Sequence, residues 1–237
     1  ADRFSYLAFS SGKAFGDIFG LLAPSLIMTG LSLALLVVQR DLGTASIFLF
    51  LYAVIVFIAS SKKRVLFISA LLIAAAGVVG YAQFDVVRVR VEAWLNPWLD
   101  PSGRSYQIVQ SLIAIANGGL FGRGLGLGNP GLVPLTHSDL IFAAIAEEYG
   151  LVGVIGLLLV LGLLVNRGLL ISMNAPDSYR RYLAAGLTAY LVGQALLIIG
   201  GSVRLLPLTG VTLPFVSYGG SSLLTAFASM LILLLIS

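Results

Sequence analysis

The side chains best suited to chemistry lie where a polar loop runs into a long apolar stretch, in the sequence PLTHSDLIFAAIAEEYG at positions 134–150. His137 and Asp139 stand at the polar end, and Glu147 and Glu148 stand further inside. On a helix with a rise of about 1.5 Å per residue, Glu147 lies about 12 Å deeper than Asp139. Acidic side chains at such a depth in a membrane are costly and usually mark a functional site. The stretch therefore predicts a helix that carries an acidic site inward from a membrane surface.

Asp139 allows two interpretations. The spacing of Thr136 and Asp139 fits a capping box, and an acid in the first helical turn complements the helix dipole. A carboxylate at a membrane surface can also act as a general base or as an electrostatic stabiliser. The two interpretations are compatible, because a base held at a helix end is well positioned.

His137 is the only histidine in the chain, so a histidine-rich metal site is excluded. It can form a hydrogen bond with Asp139, act as a proton relay or ligate a metal. An oxygen-ligated divalent cation, Mg²⁺ or Mn²⁺, stays open as a cofactor hypothesis.

Glu147 and Glu148 point about 100° apart on a helix, so at most one of them shares a face closely with Asp139. For this pair we favour a structural role, in which one or both bind a buried arginine or a neighbouring helix.

Three further polar segments could contribute to a site. The glycine-alternating LFGRGLGLGNPG, at positions 120–131, has neither the Gly-Lys-Ser/Thr of a Walker A loop nor a dinucleotide fingerprint. It is either a flexible loop or a cradle in which backbone N–H groups and Arg123 hold a diphosphate. The sequence TLPFVSYGGSS, at positions 212–222, predicts a re-entrant turn or a segment that lines a cavity. In QRDLG, at positions 39–43, Asp41 either caps the next span or joins the site.

The elements that position these residues follow from composition. Of the 237 residues, 59% are hydrophobic and 10% are charged, and the mean hydropathy is +1.03. Such a chain is predicted to be an all-α, polytopic membrane helix bundle forming one transmembrane domain over residues 1–237. The absence of cysteine excludes disulfides. The net charge of +4 is scattered between spans and does not indicate nucleic-acid binding. We predict six spans, at 23–38, 44–60, 65–83, 139–165, 182–202 and 221–236.

The basic residues predict the orientation. One side of the membrane is predicted to carry most of them, and the positive-inside rule makes that side cytoplasmic: Arg3, Lys13, Lys62, Lys63, Arg64, Arg167, Arg180 and Arg181. The long polar loop at 84–138 is then extracytoplasmic. Three segments share that outer face: QRDLG, the long loop and the Pro/Gly-rich hinge RLLPLTGVTLPFVSYGG at 204–220.

Four motifs in this order resemble the SEDS family, which includes RodA, FtsW and SpoVE. They are QRDLGTA (39–45), YQIVQSLIAIANGGLFGRGLG (106–126), PLTHSDLIFAAIAEEYGLVG (134–153) and LPFVSYGGSS (213–222). The resemblance covers nearly the whole chain from about residue 19. It implies ten spans in the intact protein, so the six here correspond to the C-terminal part. Residues 1–18 are then a remnant of a preceding span and a cytoplasmic loop. The chain departs from the family pattern at Ser138, where Thr is common, and at 129–131, where a Gln-Lys pair is often found.

The resemblance implies a multi-pass protein of the bacterial cytoplasmic membrane that serves cell elongation or division. It implies a peptidoglycan glycosyltransferase that polymerises lipid II into glycan strands at the outer membrane face and releases undecaprenyl diphosphate. Asp139 would be the general base for the acceptor sugar 4-hydroxyl. Further residues are expected to bind substrate and the nascent strand: His137, Arg104, Arg123, Arg204, Ser217, Tyr218, Gly219 and Gly220. A supporting role is expected for Glu147, Glu148, Gln39 and Asp41. The implied partner is a class B penicillin-binding protein, a transpeptidase.

Two other functions remain open. A flippase or transporter for a lipid-linked precursor would also use intramembrane acids and a Pro/Gly hinge. A scaffold that only docks a penicillin-binding protein would need no charge at Asp139. The clustering of the polar motifs on one predicted face favours chemistry at a surface.

Overall fold

A computed structural model describes residues 27–33, 35, 36, 39, 41–60, 67, 71, 74, 77, 78, 80–128 and 138–237. Over these residues the chain is helical and contains no strand, which confirms the predicted all-α class. Two of the helices are long and apolar enough to cross a membrane, by length and composition.

Six α-helices are described: α1 Leu42–Ser60, α2 Asp85–Leu95, α3 Tyr106–Gly118, α4 Ile141–Asn174, α5 Ser178–Ser202 and α6 Gly220–Ile236. The membrane-crossing helices are α4 and α5, and α1 and α6 are shorter apolar helices. Four of the predicted spans coincide with α1, α4, α5 and α6. The structure describes only part of the predicted spans 23–38 and 65–83, and the residues that it describes there are helical. Residues 1–18 lie wholly outside the described residues.

One predicted segment contains more helix than expected, and one predicted helix end is wrong. The segment 84–138 was predicted as a polar loop, but it contains α2, a short 3₁₀ helix at Pro97–Leu99 and α3. The α3 sequence YQIVQSLIAIANG is apolar enough to pack, and it buries residues such as Ile108 and Ala114. Helix α4 continues past the predicted end at 165 to Asn174. Asn166 and Arg167 are helical residues within it, and the turn comes at Ala175. Asp177 then caps α5, because its side chain accepts from the Arg180 N–H at 2.8 Å.

The helices pack around two main apolar clusters. The first joins Ile47 of α1, Ala195 and Ile198 of α5, and Val211 and Leu213 of the segment that follows α5. The second joins α5 to α6 through Leu191 and Leu233, among others. Close helix contact is possible because small residues stand at the crossings, as where Gly168 of α4 meets Thr188 of α5.

Helix α4 is interrupted at Gly150, which has a φ of 66° and a ψ of −162°. The left-handed region favours glycine because it has no Cβ. The interruption lets Ile141 on one side and Leu157 on the other pack against the same first cluster. The first two turns of α4 are therefore oriented separately from its spanning part.

The segment 203–219 folds back into the bundle between α5 and α6. Its Leu213 and Pro214 are among the most buried side chains of the described residues. Val211 and Leu213 insert into the first cluster, and Leu208 packs with Leu140 and Ala114. The segment therefore contacts α1, α3 and the start of α4.

Candidate active site

Thr209 and Gly210 form the point at which three separate elements meet. The start of α1 approaches Thr209 closely at Gly43. A Cβ atom added to Gly43 would lie 2.6 Å from the Thr209 carbonyl oxygen, so this approach requires glycine. Arg90 of α2 donates from Nη1 to that same oxygen at 3.0 Å. On Gly210, an added Cβ would lie 3.5 Å from Asp139 Oδ2 and 4.0 Å from Arg90 Nη2. The structure therefore gathers QRDLG, the 84–138 segment and the Pro/Gly hinge around one acidic and one basic group.

Asp139 is held by the residues on either side of it. The Ser138 carbonyl accepts from Ser217 Oγ at 2.7 Å, and Ser217 Oγ accepts from the Leu213 N–H at 2.7 Å. Leu140 is fully buried against Ala114 and Ala143. Leu140 is also the N-cap residue of α4, with no side-chain cap hydrogen bond. The Asp139 carboxylate lies near Gly210, and no cap bond from it is among the contacts of the described residues.

Arg90 was not among the predicted site residues. Its guanidinium is fixed by the Thr209 carbonyl, and it stays out of the ion pairs of the described residues, which involve Arg88, Arg123 and Arg180. Arg90 and Asp139 therefore both lie near Gly210, and no ion pair between them is among the contacts of the described residues. Because the contact joins residues 119 positions apart, no local sequence signal could have revealed it.

Arg204 holds the end of α2. Its Nε donates to the Trp94 carbonyl at 2.8 Å and its Nη2 to the Leu95 carbonyl at 2.8 Å. Trp94 Nε1 donates in return to the Arg204 carbonyl at 3.1 Å. Arginine at a helix C-terminus satisfies carbonyl groups that have no partner within the helix. A cavity of about 430 Å³ borders this contact, lined by Trp94, Leu95, Leu112, Val203 and Arg204. The geometry gives Arg204 a structural role, and its role in substrate binding stays a prediction.

Glu147 and Glu148 lie just before the interruption of α4 and bind the loop that packs beside it. Glu147 is 3% exposed and forms an ion pair with Arg123 at 3.5 Å, which is the kind of contact that the structural interpretation predicts. The N–H groups of Arg123 and Gly124 donate to the carbonyls of Glu147 and Glu148, at 2.9 and 3.0 Å. The Gly126 N–H donates to Glu148 Oε1 at 3.2 Å. These three N–H groups are engaged and therefore do not form an open diphosphate cradle.

The other predicted residues are more dispersed. Asp41 accepts from the N–H and hydroxyl of Thr44 at 3.0 and 2.7 Å, so it caps α1. Arg104 is exposed, and its N–H donates to Asp100 at 3.0 Å. The remaining four, which the described contacts do not join to Asp139, are exposed Gln39, exposed Tyr218, Gly219 before α6 and Gly220 at its start. His137 lies outside the described residues.

The arrangement suits proton abstraction beside a developing negative charge. A carboxylate can take a proton from a hydroxyl, and a fixed guanidinium can stabilise an anionic leaving group. The described residues contain no group of three or more His, Cys, Asp or Glu side chains that could hold a metal ion.

The fold and the site define a class: a membrane helix bundle with a carboxylate and a guanidinium set at one end of its spans. The model of the FtsW/RodA/SpoVE family, described as cell cycle proteins, matches residues 7–237, and the chain belongs to this family. It is 43% identical over 216 residues to the peptidoglycan glycosyltransferase RodA of Mycobacterium tuberculosis strain H37Rv, with 91% of this chain and 46% of that protein covered.

Solved structures agree with this assignment. One is described as the structural coordination of polymerization and crosslinking by a peptidoglycan synthase complex. It matches with a TM-score of 0.75 at 29% identity, covering 98% of this chain and 65% of that one. The crystal structure of the rod shape determining protein RodA of Thermus thermophilus matches with a TM-score of 0.62 at 29% identity, covering 98% and 60%. The chain spans about half the length of the mycobacterial relative.

Proposed function

We propose that the full-length protein containing this chain is a peptidoglycan glycosyltransferase that polymerises lipid II into glycan strands. The main observation behind this proposal is that the Asp139 carboxylate lies beside Gly210, near the Arg90 guanidinium that binds the Thr209 carbonyl. The relative named peptidoglycan glycosyltransferase supports the reaction class.

In the proposed reaction Asp139 removes the proton from the 4-hydroxyl of the acceptor sugar. The hydroxyl oxygen attacks the anomeric carbon of the donor as the bond from that carbon to the diphosphate breaks. Undecaprenyl diphosphate leaves with the bonding electron pair, and the proton remains on the carboxyl group. A weak hydroxyl nucleophile needs such a base, which typically contributes about 10²–10⁴-fold to the rate.

Arg90 is proposed to stabilise the diphosphate as charge develops on it. Its side chain cannot swing freely, since Nη1 is bound to the Thr209 carbonyl, so it is oriented before substrate arrives. Donors that are fixed in advance need no reorganisation during reaction. The sequence suggested Arg104, Arg123 and Arg204 for this role. These three remain candidates for more distant contacts with substrate.

We propose that a divalent cation, if required, binds together with the substrate. The diphosphate oxygens would supply most of its ligands, and Asp139 is the nearest acidic side chain to Gly210 among the described contacts. No step of the reaction above is assigned to the ion.

We also propose that the site faces outward from the bacterial cytoplasmic membrane, as the distribution of basic residues predicts. The partner is proposed to be a class B penicillin-binding protein. Similarity to a chain solved in a peptidoglycan synthase complex supports a partner of this kind.

The test is lipid II polymerisation by the purified full-length protein with its transpeptidase, comparing wild type with Asp139→Asn. Asparagine keeps the size of the side chain and removes the base. Glycan strand formation is expected to fall by about 10²-fold or more, with unchanged thermal unfolding. The assay is run with and without Mg²⁺ to test the cation.

Asp85→Asn is the matched control, because the Asp85 side chain is 94% exposed and pairs only with Arg88 at the protein surface in the described contacts. It removes the same charge and should leave the rate unchanged. Strand formation by Asp139→Asn at the wild-type rate would refute the assignment. Transport of labelled lipid II across vesicles by that variant would then favour the flippase, and neither activity in the wild type would favour the scaffold.

A further inference from the structure

The glycine-alternating loop between α3 and α4 is joined to α4 by backbone hydrogen bonds. Residues 119–128 run beside the interruption of α4, and the Leu151 and Val152 N–H groups donate to the carbonyls of Gly119 and Leu120 at 3.0 and 3.2 Å. In the opposite direction, Arg123 and Gly124 donate to the carbonyls of Glu147 and Glu148. This ladder uses backbone groups of α4 that the interruption at Gly150 releases.

The glycines explain how the loop approaches so closely. Four of them have a positive φ, between 53° and 102°: Gly119, Gly122, Gly124 and Gly126. A Cβ on Gly122 would collide with the Glu148 carbonyl, and one on Gly150 would collide with the Gly122 N–H. The positive φ angles and the close backbone contacts therefore favour glycine at these positions.

The outward surface of this loop is apolar. Its exposed fractions are 63% for Leu120, 80% for Phe121, 70% for Leu125 and 72% for Leu127. Large exposed apolar patches mark sites that contact a protein or a membrane. The charge of the loop is compensated, because Arg123 pairs with buried Glu147.

The patch lies beside exposed apolar side chains of α4, a helix long and apolar enough to cross a membrane. Helix α4 exposes Val152, which pairs with the loop, by 59%, and it exposes Leu158 and Leu159 further along by 45% and 63%. Irregular backbone is normally excluded from lipid because its polar groups lack partners. Here the N–H groups of Gly122, Arg123, Gly124, Gly126 and Leu127 all donate within the protein.

We infer that residues 119–128 lie in the bilayer, at the boundary between headgroups and acyl chains, with Leu120, Phe121, Leu125 and Leu127 among the lipid chains. Apolar faces at this boundary reach about 5–10 Å into the membrane. The occupant of the patch is therefore membrane lipid. This inference does not depend on the catalytic activity.

The test is spin-label accessibility in the full-length protein, in a cysteine-free background and reconstituted in vesicles. Labels are placed at Phe121→Cys and Leu125→Cys, with Leu159→Cys on α4 as the lipid reference. Tyr179→Cys, next to the turn before α5 and 58% exposed, is the aqueous reference. Collision with oxygen is expected to match the lipid reference, and collision with a water-soluble nickel complex is expected to be far below the aqueous reference.

Two results would overturn the inference. Nickel accessibility equal to that of the Tyr179 label would place the loop in water. Low accessibility to both reagents would mean that protein covers the patch. Leu127→Cys provides a third label, so that a misfolded variant at one position does not decide the outcome.

Discussion

At the scale of the residue, Arg90 is placed near Asp139 by its hydrogen bond to the Thr209 carbonyl. We predict that Arg90→Gln lowers lipid II polymerisation by about 10²-fold, as expected for the loss of a fixed donor at a developing anion. The measurement is the strand formation assay together with thermal unfolding.

Arg88→Gln is the control for this prediction, since Arg88 lies on the same helix and pairs with exposed Asp85 at 3.6 Å. Its rate should stay at the wild-type level. If both variants polymerise equally well, Arg90 has no part in the reaction.

Arg123 leads to a second prediction, about stability. Arg123→Ala leaves the nearly buried Glu147 carboxylate without its cation, and an unsatisfied buried group costs about 1–3 kcal/mol or more. The variant should therefore unfold at a lower temperature in detergent. Arg104→Ala, at an exposed position, should not change the unfolding temperature, and an equal shift in both would contradict the role of the ion pair.

Single residues differ in how far the sequence predicts them. Asp139 stood out because a carboxylate at the edge of an apolar run is costly, and Glu147 for the same reason. Arg90 did not stand out, because its hydrogen bond to the Thr209 carbonyl joins residues 119 positions apart in the sequence. Ser217 was predicted as a substrate contact, and the structure shows it supporting Ser138 through a backbone hydrogen bond.

At the scale of the element, the interruption of α4 is the feature that orders its surroundings. Gly150→Ala should destabilise the protein by about 1 kcal/mol or more, because its φ of 66° is strained for alanine. The added methyl group would also collide with the Gly122 N–H. Thermal unfolding measures the effect.

The comparison for this variant is Gly162→Ala on the same helix, where an added Cβ meets nothing within 4 Å. That substitution should be neutral or slightly stabilising, since alanine favours helix over glycine. A Gly150→Ala variant as stable as Gly162→Ala would show that α4 can form without the interruption.

The sequence predicted whole helices better than their ends. Apolar runs located α1, α5 and α6, because a membrane imposes length and hydropathy on each span. It missed α3, since an apolar helix of 13 residues is too short to register as a span. It also missed the break at Gly150, because glycine within a helical run does not reveal which carbonyls a distant loop will use.

At the scale of the whole molecule, orientation is the property to be measured. We predict that the α2–α3 connection is extracytoplasmic and that the α4–α5 turn is cytoplasmic, because the basic residues near that turn follow the positive-inside rule. In intact cells, a membrane-impermeant thiol reagent should label Leu99→Cys and not Tyr179→Cys. Both positions are well exposed, at 81% and 58%, so accessibility alone does not separate them. Labelling of Tyr179→Cys alone would invert the proposed orientation.

Both charged groups of the candidate site are tied to the same segment, 203–219. Asp139 is linked to it through the hydrogen bond between the Ser138 carbonyl and Ser217, and Arg90 is linked to it through the Thr209 carbonyl. Arg204, which lies in the same segment, binds the last carbonyls of α2. A shift of this segment relative to the spans would therefore carry the carboxylate and the guanidinium together.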